Sequence, residues 1–152
     1  MAYIAEDWLR ATVEATSEFC ETTLAMEMRT GVDAPRLPDN LTGCFVALVG
    51  SEEALQIGLA SDPAGCQTLA RTLFAAEEEL SESDVSDALG EIANILAGGV
   101  KKRMAETFGG MSLGLPIVME GHLRVTDRQH IAQLDIALGE VPVRLLVVCS
   151  RE

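Results

Sequence analysis

The sequence lacks the features that would place it in a membrane or on a nucleic acid. No apolar run approaches the roughly 18–20 residues that span a bilayer, and the opening MAYIAEDWLR is acidic and amphipathic, unlike a signal sequence. Basic residues are few: 11 Lys and Arg stand against 24 Asp and Glu, which gives a net charge of −13. Nucleic acids and anionic membranes repel such a chain. We therefore predict a cytoplasmic protein that binds neither.

Cysteine and histidine are too scattered for a metal centre. The four cysteines form no CxxC pair and both histidines are distant from them in sequence, so we expect buried, reduced thiols and no metal site. The sequence also has no GxSxG motif, no P-loop and no His placed to act as a base, which argues against a classical hydrolase. A small basic patch is expected to be an ordinary surface feature; it consists of His122, Arg124, Arg128 and His130.

The residues that are present indicate one globular domain over 1–152, because 48% of them are hydrophobic and no long linker interrupts them. Near the N-terminus, apolar residues recur at helical spacing and predict a long amphipathic helix over 4–28. Asp62 followed by Pro63 is typical of a helix start. We expect this second helix to reach about Phe74.

Strand patterns account for much of the remaining chain. LTGCFVALVG (41–50) is continuously apolar and LQIGLAS (55–61) alternates, so the two predict a hairpin. Two weaker strand segments, IVMEG and HLRVT, lie on either side of a turn near Gly121. These segments place the β structure both before and after the central helices.

A second hairpin is predicted at the C-terminus, over residues 130–149. HIAQLDIAL (130–138) alternates, VPVRLLVVC (141–149) is rich in β-branched residues, and Gly139-Glu140 between them suits a type II′ turn. The order of helices and strands predicts an α/β sandwich of the α+β kind, with helices packed on a largely antiparallel sheet.

The central helix, predicted over about 83–106 with Ser81 as its N-cap, combines a core stripe with an unusual polar face. One interpretation of that face is ordinary solvation. However, Asn is a poor mid-helix residue, and each Gly of the pair at 98–99 costs about 1 kcal/mol relative to Ala, which favours a binding surface. The expected core stripe comprises Val85, Ala88, Leu89, Ile92, Ile95 and Leu96. The polar face comprises Asp87, Glu91, Asn94 and Gly98, with Lys101 beside them.

The polar face resembles the signature of a known protein family. Asp87-x3-Glu91-x2-Asn94, followed by Pro116 in LGLPIVMEG, is similar to the pattern of the chemotaxis phosphatases CheC, CheX and FliY. The resemblance implies hydrolysis of the phospho-aspartate on a CheY-like response regulator. It assigns Glu91 to the regulator's active-site Lys and Asn94 to the attacking water. The Mg²⁺ would belong to the regulator, so no cofactor of this chain's own is expected.

Only one intact motif is present, which resembles CheX rather than the two-motif CheC. The resemblance then implies a homodimer through a sheet edge, for which the strand 141–149 is a candidate if it lies at an edge; it also leaves room for a CheD-like partner. Ser17-x3-Glu21-x2-Leu24 has the same frame without the Asn, through chance or as a decayed second site. The alternative function is a non-catalytic module that docks a response regulator or a chemotaxis or flagellar-switch component.

Overall fold

Three α-helices pack on one face of a seven-stranded antiparallel sheet in the computed structural model, which describes residues 5–31, 36–122, 124 and 126–150. This confirms the predicted α+β arrangement. None of the described helices is long and apolar enough to cross a bilayer. In chain order the elements are α1 (Ala5–Phe19), a π-helical turn (Cys20–Leu24), β1 (Met28–Thr30), β2 (Leu41–Val49), β3 (Ala54–Ser61), α2 (Pro63–Phe74), α3 (Glu82–Arg103), β4 (Ser112–Leu113), β5 (Ile117–Gly121), β6 (Gln129–Leu138) and β7 (Val141–Ser150).

The sheet has the strand order β1-β6-β7-β3-β2, and both β4 and β5 pair along the far side of β2. Successive strand side chains face opposite sides of a sheet, so every second residue points toward the helices. Together with the apolar faces of the helices, these side chains form the buried core. Strand residues in this core include Val46, Leu59, Ile136, Val143 and Leu145.

The four long strands lie within one residue of their predicted ends, and the segment IVMEG forms β5. Leu138 pairs with Val141, which leaves the two-residue loop expected between β6 and β7. Gly139 has φ +60° whereas Glu140 has no positive φ, the combination that a type II′ turn requires. The predicted strand HLRVT includes positions 123 and 125, which lie outside the described residues.

The prediction of one helix over 4–28 is wrong at its C-terminal end. The α-helix stops at Phe19, continues as a π-helical turn, and ends where Ala25 adopts the left-handed conformation (φ 53°). Met28–Thr30 then pairs with β6 as a short edge strand. Met26 extends the apolar spacing of the helix in sequence, but the chain has already turned by that point. A periodicity read along the chain cannot detect this reversal.

The strand proposed for a dimer edge is also in a different place. β7 lies between β3 and β6, with hydrogen-bonded neighbours on both sides. A strand with two neighbours has no free backbone groups to offer to another chain. Within the described residues, the free edges of the sheet belong to β1 on one side and to β4 and β5 on the other.

The two halves of the molecule are related by a pseudo-twofold arrangement. α1 packs on β6 and β7, and α3 packs on β2 and β3. Ala15 meets Gly99 where the two helices cross, and the strand order β1-β6-β7-β3-β2-β4 places a short edge strand and a longer hairpin of each half symmetrically about the β7–β3 pair.

Candidate functional site

Helix α3 has residues suited to both of its ends. The Ser81 hydroxyl accepts a hydrogen bond from the backbone N–H of Asp84 at 3.1 Å, as expected for an N-cap. Acidic residues lie in the first turn and three basic residues in the last, which complements the helix dipole. The helix ends at Arg103, three residues short of the predicted end, and the motif occupies its middle turns.

The buried face of α3 is rotated from the predicted stripe. Ile95, expected in the core, is 41% exposed, whereas Gly90, Ala93 and Ala97 are buried. Small residues on this side let the helix lie close to β5: a Cβ on Gly90 would be 3.5 Å from the ring of Pro116. This close approach turns the small residues inward and Ile95 outward, so the prediction for Ile95 is wrong.

The motif residues share one face of α3, as their spacing predicts. Asp87, Glu91 and Asn94 are all exposed. They line an open groove between α3 and the start of β5, and Pro116 forms part of its opposite wall. Residues that are separate in the sequence are thus brought together by packing. The remaining residues that line the groove are Ser86, Gly90 and Val118.

The two glycines behind the motif have different surroundings. A Cβ on Gly99 would lie 3.0 Å from the Cβ of Ala15, so Gly99 lets α1 and α3 cross closely and a side chain there would press the two helices apart. A Cβ on Gly98 would meet nothing within 4 Å. The fold of the described residues therefore explains Gly99 and gives no reason for Gly98, which lies on the exposed side beyond Asn94.

The groove presents the carboxylates of Asp87 and Glu91 and the carboxamide of Asn94, and no histidine or cysteine is among its lining residues. Three of its seven lining residues are exposed and only Gly90 is buried, so the groove is open to solvent. Among the described residues, no group of three His, Cys, Asp or Glu could hold a metal ion. An open groove of this kind offers its polar side chains to another molecule at the surface and does not enclose a ligand.

The other residues singled out in the sequence lie away from the groove. Lys101 is exposed on α3, two turns beyond Asn94. In the basic patch, Arg124 and Arg128 are exposed, His122 Nδ1 lies 3.4 Å from the Asp39 carbonyl oxygen, and His130 Nε2 lies 3.2 Å from a carboxylate oxygen of Glu6. All four cysteines are free thiols: Cys20, Cys44, Cys66 and Cys149.

The Ser17-x3-Glu21-x2-Leu24 frame does not form a second site. Leu24 is buried in the core and lies in the π-helical turn, so the three positions share no exposed face. Elsewhere on α1, Asp7 and Arg10 have the same three-residue spacing as Glu91 and Asn94 and form an ion pair at 3.9 Å.

Helices on one side of an antiparallel sheet, with an acid and an amide displayed beside a proline, have the fold and the motif that the resemblance to the chemotaxis phosphatases predicts. The family model for the chemotaxis phosphatase CheX matches residues 42–137, which is well over half of the chain. The chain belongs to this family. No curated protein is similar enough in sequence to count as a match.

Solved structures share the fold at low sequence identity. The chemotaxis protein CheX from Vibrio vulnificus has a TM-score of 0.77 and 16% identity, covering 95% of this chain and 99% of that one. CheX in a CheX-CheY-BeF3-Mg²⁺ complex from Borrelia burgdorferi has a TM-score of 0.71 and 19% identity, covering 95% and 98%. The FliM middle domain from Vibrio alginolyticus is similar at a TM-score of 0.62 and 9% identity, covering 94% and 90%.

Proposed function

We propose that this chain accelerates the hydrolysis of the phospho-aspartate on a CheY-like response regulator. The observation that carries the proposal is that Glu91, Asn94 and Pro116 line one open groove. Membership of the CheX family and the similarity to a CheX crystallised with CheY support the same reaction class. The lack of an enclosed cavity at the groove agrees with a protein as the substrate.

Glu91 is proposed to anchor the regulator. Its carboxylate is exposed in the middle of α3, where it can accept a charge-assisted hydrogen bond from the regulator's active-site Lys. The chain has a net charge of −13 and must approach a pocket that is itself acidic. A Lys in that pocket is the group to which a carboxylate can bind without repulsion.

Asn94 is proposed to orient the attacking water. Phosphoryl transfer depends largely on positioning and electrostatics. A carboxamide can hold a water in line with the bond that breaks, and it adds no negative charge to repel the phosphoryl oxygens. Glu91 and Asn94 are one turn apart on the same face, so one docked regulator can contact both. Mg²⁺, when bound in the regulator, would neutralise charge there, and this chain would use no cofactor of its own.

Three further residues on this face are proposed to contact the regulator. Asp87 lies one turn before Glu91 and lines the same groove. Gly98 leaves open space beyond Asn94, which allows another backbone to approach closely. Lys101 lies exposed past that opening. A homodimer and a CheD-like partner stay predictions of the family resemblance, and an edge-mediated dimer would use β1 or the β4–β5 side.

Replacement of the amide tests the proposal directly. We expect Asn94→Ala to slow dephosphorylation at least about tenfold, equivalent to about 1.4 kcal/mol of barrier, with binding of the regulator retained. The measurement is the decay of phosphorylated regulator with and without each variant, together with calorimetric binding of the beryllofluoride-loaded regulator. Asn40→Ala is the matched control, since Asn40 is the other asparagine of the chain and is also exposed.

Two outcomes would contradict the proposal. If the unmodified protein does not speed the decay, it is not a phosphatase for that regulator, and retained binding would then indicate a docking module. If Asn94→Ala is as fast as Asn40→Ala, the amide does not orient the water.

A further inference from the structure

The exposed face of α3 carries its charges in a fixed order. We call this face, from Asp84 to Lys102, the ridge. Its N-terminal half is acidic, its middle is neutral and its C-terminal end is basic. The two lysines at 101–102 are the only lysines of the 152-residue chain. In order, the ridge residues are Asp84, Asp87, Glu91, Asn94, Ile95, Gly98, Lys101 and Lys102, all exposed except the half-buried Gly98.

The ridge charges are not used to hold the fold together. The ion pairs between described residues involve arginines or His130 as the cation, and none involves Asp87, Glu91 or Lys101. The pKa of Glu18 is lowered chiefly by the hydrogen bond that its carboxylate accepts from Arg103 at 2.7 Å, and Lys102 adds the smallest of the contributions. The ridge therefore presents charges that remain available to another molecule.

The acidic and basic parts of the ridge are too far apart to neutralise each other, even at their closest charged residues. Glu91 and Lys101 are ten residues apart in sequence, about 15 Å along a helix, whereas helical ion pairs form at three or four residues. This separation also exceeds the Debye length of about 8 Å at physiological salt. The helix dipole accounts for charges in the first and last turns, but its effect does not extend to Asp87 and Glu91 in the middle turns.

We propose that this charge order fixes the direction in which the response regulator docks. The regulator would place a basic surface over Asp84 and Asp87 and an acidic surface over the lysines, which sets its phosphorylated pocket over Asn94. The inference rests on the proposed function, because the ridge is continuous with the Glu91–Asn94 groove. Complementary charge mainly raises the association rate and excludes wrong orientations. Ile95, exposed between the two ends, adds an apolar contact that loses water on docking.

The test is a charge swap that leaves the net charge at −13. The double variant Asp87→Lys/Lys101→Glu reverses the order along the ridge. We expect its kcat/KM for dephosphorylation to fall at least tenfold at about 50 mM salt, with the deficit shrinking toward about 500 mM as screening increases. Asp127→Lys/Arg128→Glu is the matched control, since both residues are exposed and lie on the loop before β6. Its salt dependence should parallel that of the unmodified protein.

The outcomes separate this inference from the proposed function. If the unmodified protein accelerates the decay and the ridge swap follows the control at every salt concentration, the charge order does not guide docking and the inference fails alone. If the unmodified protein does not accelerate the decay, the proposed function fails. The same three proteins then decide the inference by their binding to beryllofluoride-loaded regulator, where equal affinities overturn it.

Discussion

Gly98 and Gly99 are adjacent residues that differ in the space around them. A side chain at 98 enters open space, and a side chain at 99 meets Ala15 at 3.0 Å. Because Ala is favoured over Gly in a helix by about 1 kcal/mol, we expect Gly98→Ala to raise the free energy of unfolding by up to that amount. Gly99→Ala should be less stable than Gly98→Ala by about 1–3 kcal/mol, the usual cost of overpacking. Urea denaturation of the two variants measures the difference, and the reverse order would contradict the described crossing.

The same exchange at 98 also separates stability from binding. If the open space admits the backbone of a regulator, Gly98→Ala should weaken its binding while the protein itself becomes more stable.

Sequence reasoning could assign Glu91 and Asn94 to an exposed face, because a helical period fixes which residues share a side. It could not predict that Gly99 is packed against α1 while Gly98 is open, or that Ile95 is exposed. Both facts depend on which neighbouring element lies close to the helix.

At the scale of elements, an ion-pair cluster joins the end of α3 to α1. Arg103 donates a hydrogen bond to the Glu18 carboxylate at 2.7 Å and lies 3.7 Å from that of Glu14. The hydrogen bond from Arg103 lowers the pKa of Glu18 below its usual 4.5. The unfolded chain therefore binds a proton at higher pH than the folded protein does. The resulting stabilisation is fully present above pH 4.5 and is lost as the pH falls through the lower pKa.

We therefore expect Glu18→Gln to lower the melting temperature at neutral pH and to converge with the unmodified protein at acidic pH. Melting curves recorded from pH 7 to below pH 4.5 follow this convergence. Glu21→Gln is the control, since Glu21 is exposed and forms no ion pair with a described residue. A deficit that is the same at every pH would mean that the charge of Glu18 is not what stabilises the contact.

The length of α1 shows why the end of a helix is harder to predict than the residues that share one of its faces. Apolar spacing predicted a helix over 4–28, yet the helix gives way to a π-helical turn and then to β1. Strand β1 is three residues long and exists because β6 lies beside it. The three residues of β1 do not by themselves indicate that β6 will lie beside them. The long strands were predictable because their own alternation and their tight Gly139-Glu140 loop are local features.

At the scale of the whole molecule, the reactivity of the four cysteine thiols measures how well the core excludes solvent. Burial raises the pKa of Cys20, Cys44 and Cys66 to about 11, so their thiols stay protonated and unreactive near pH 8. Cys149 is half-buried, and burial raises its pKa as well. We expect a thiol reagent to label Cys149 first and the other three only as fast as the protein unfolds. Cys149→Ser should remove the first phase, and rapid labelling of all four would contradict the described core.

Sheet order could not be predicted from the sequence. Both hairpins were identifiable, but the position of β7 between β3 and β6 depends on contacts between distant residues. The groove has the same origin, since the pairing of β5 with β2 is what holds Pro116 beside α3. The motif thus predicted that Pro116 belongs to the site, whereas the packing of β5 beside α3 determined the width of the groove and its opposite wall.

The pseudo-twofold arrangement has a consequence for engineering. Helix α3 displays an acid and an amide three residues apart, and α1 carries Asp7 and Arg10 at the same spacing. The exchange Arg10→Asn would give α1 an acid–amide pair as well. If the function proposed for α3 holds, such a variant asks whether that spacing alone is enough for activity on a second helix.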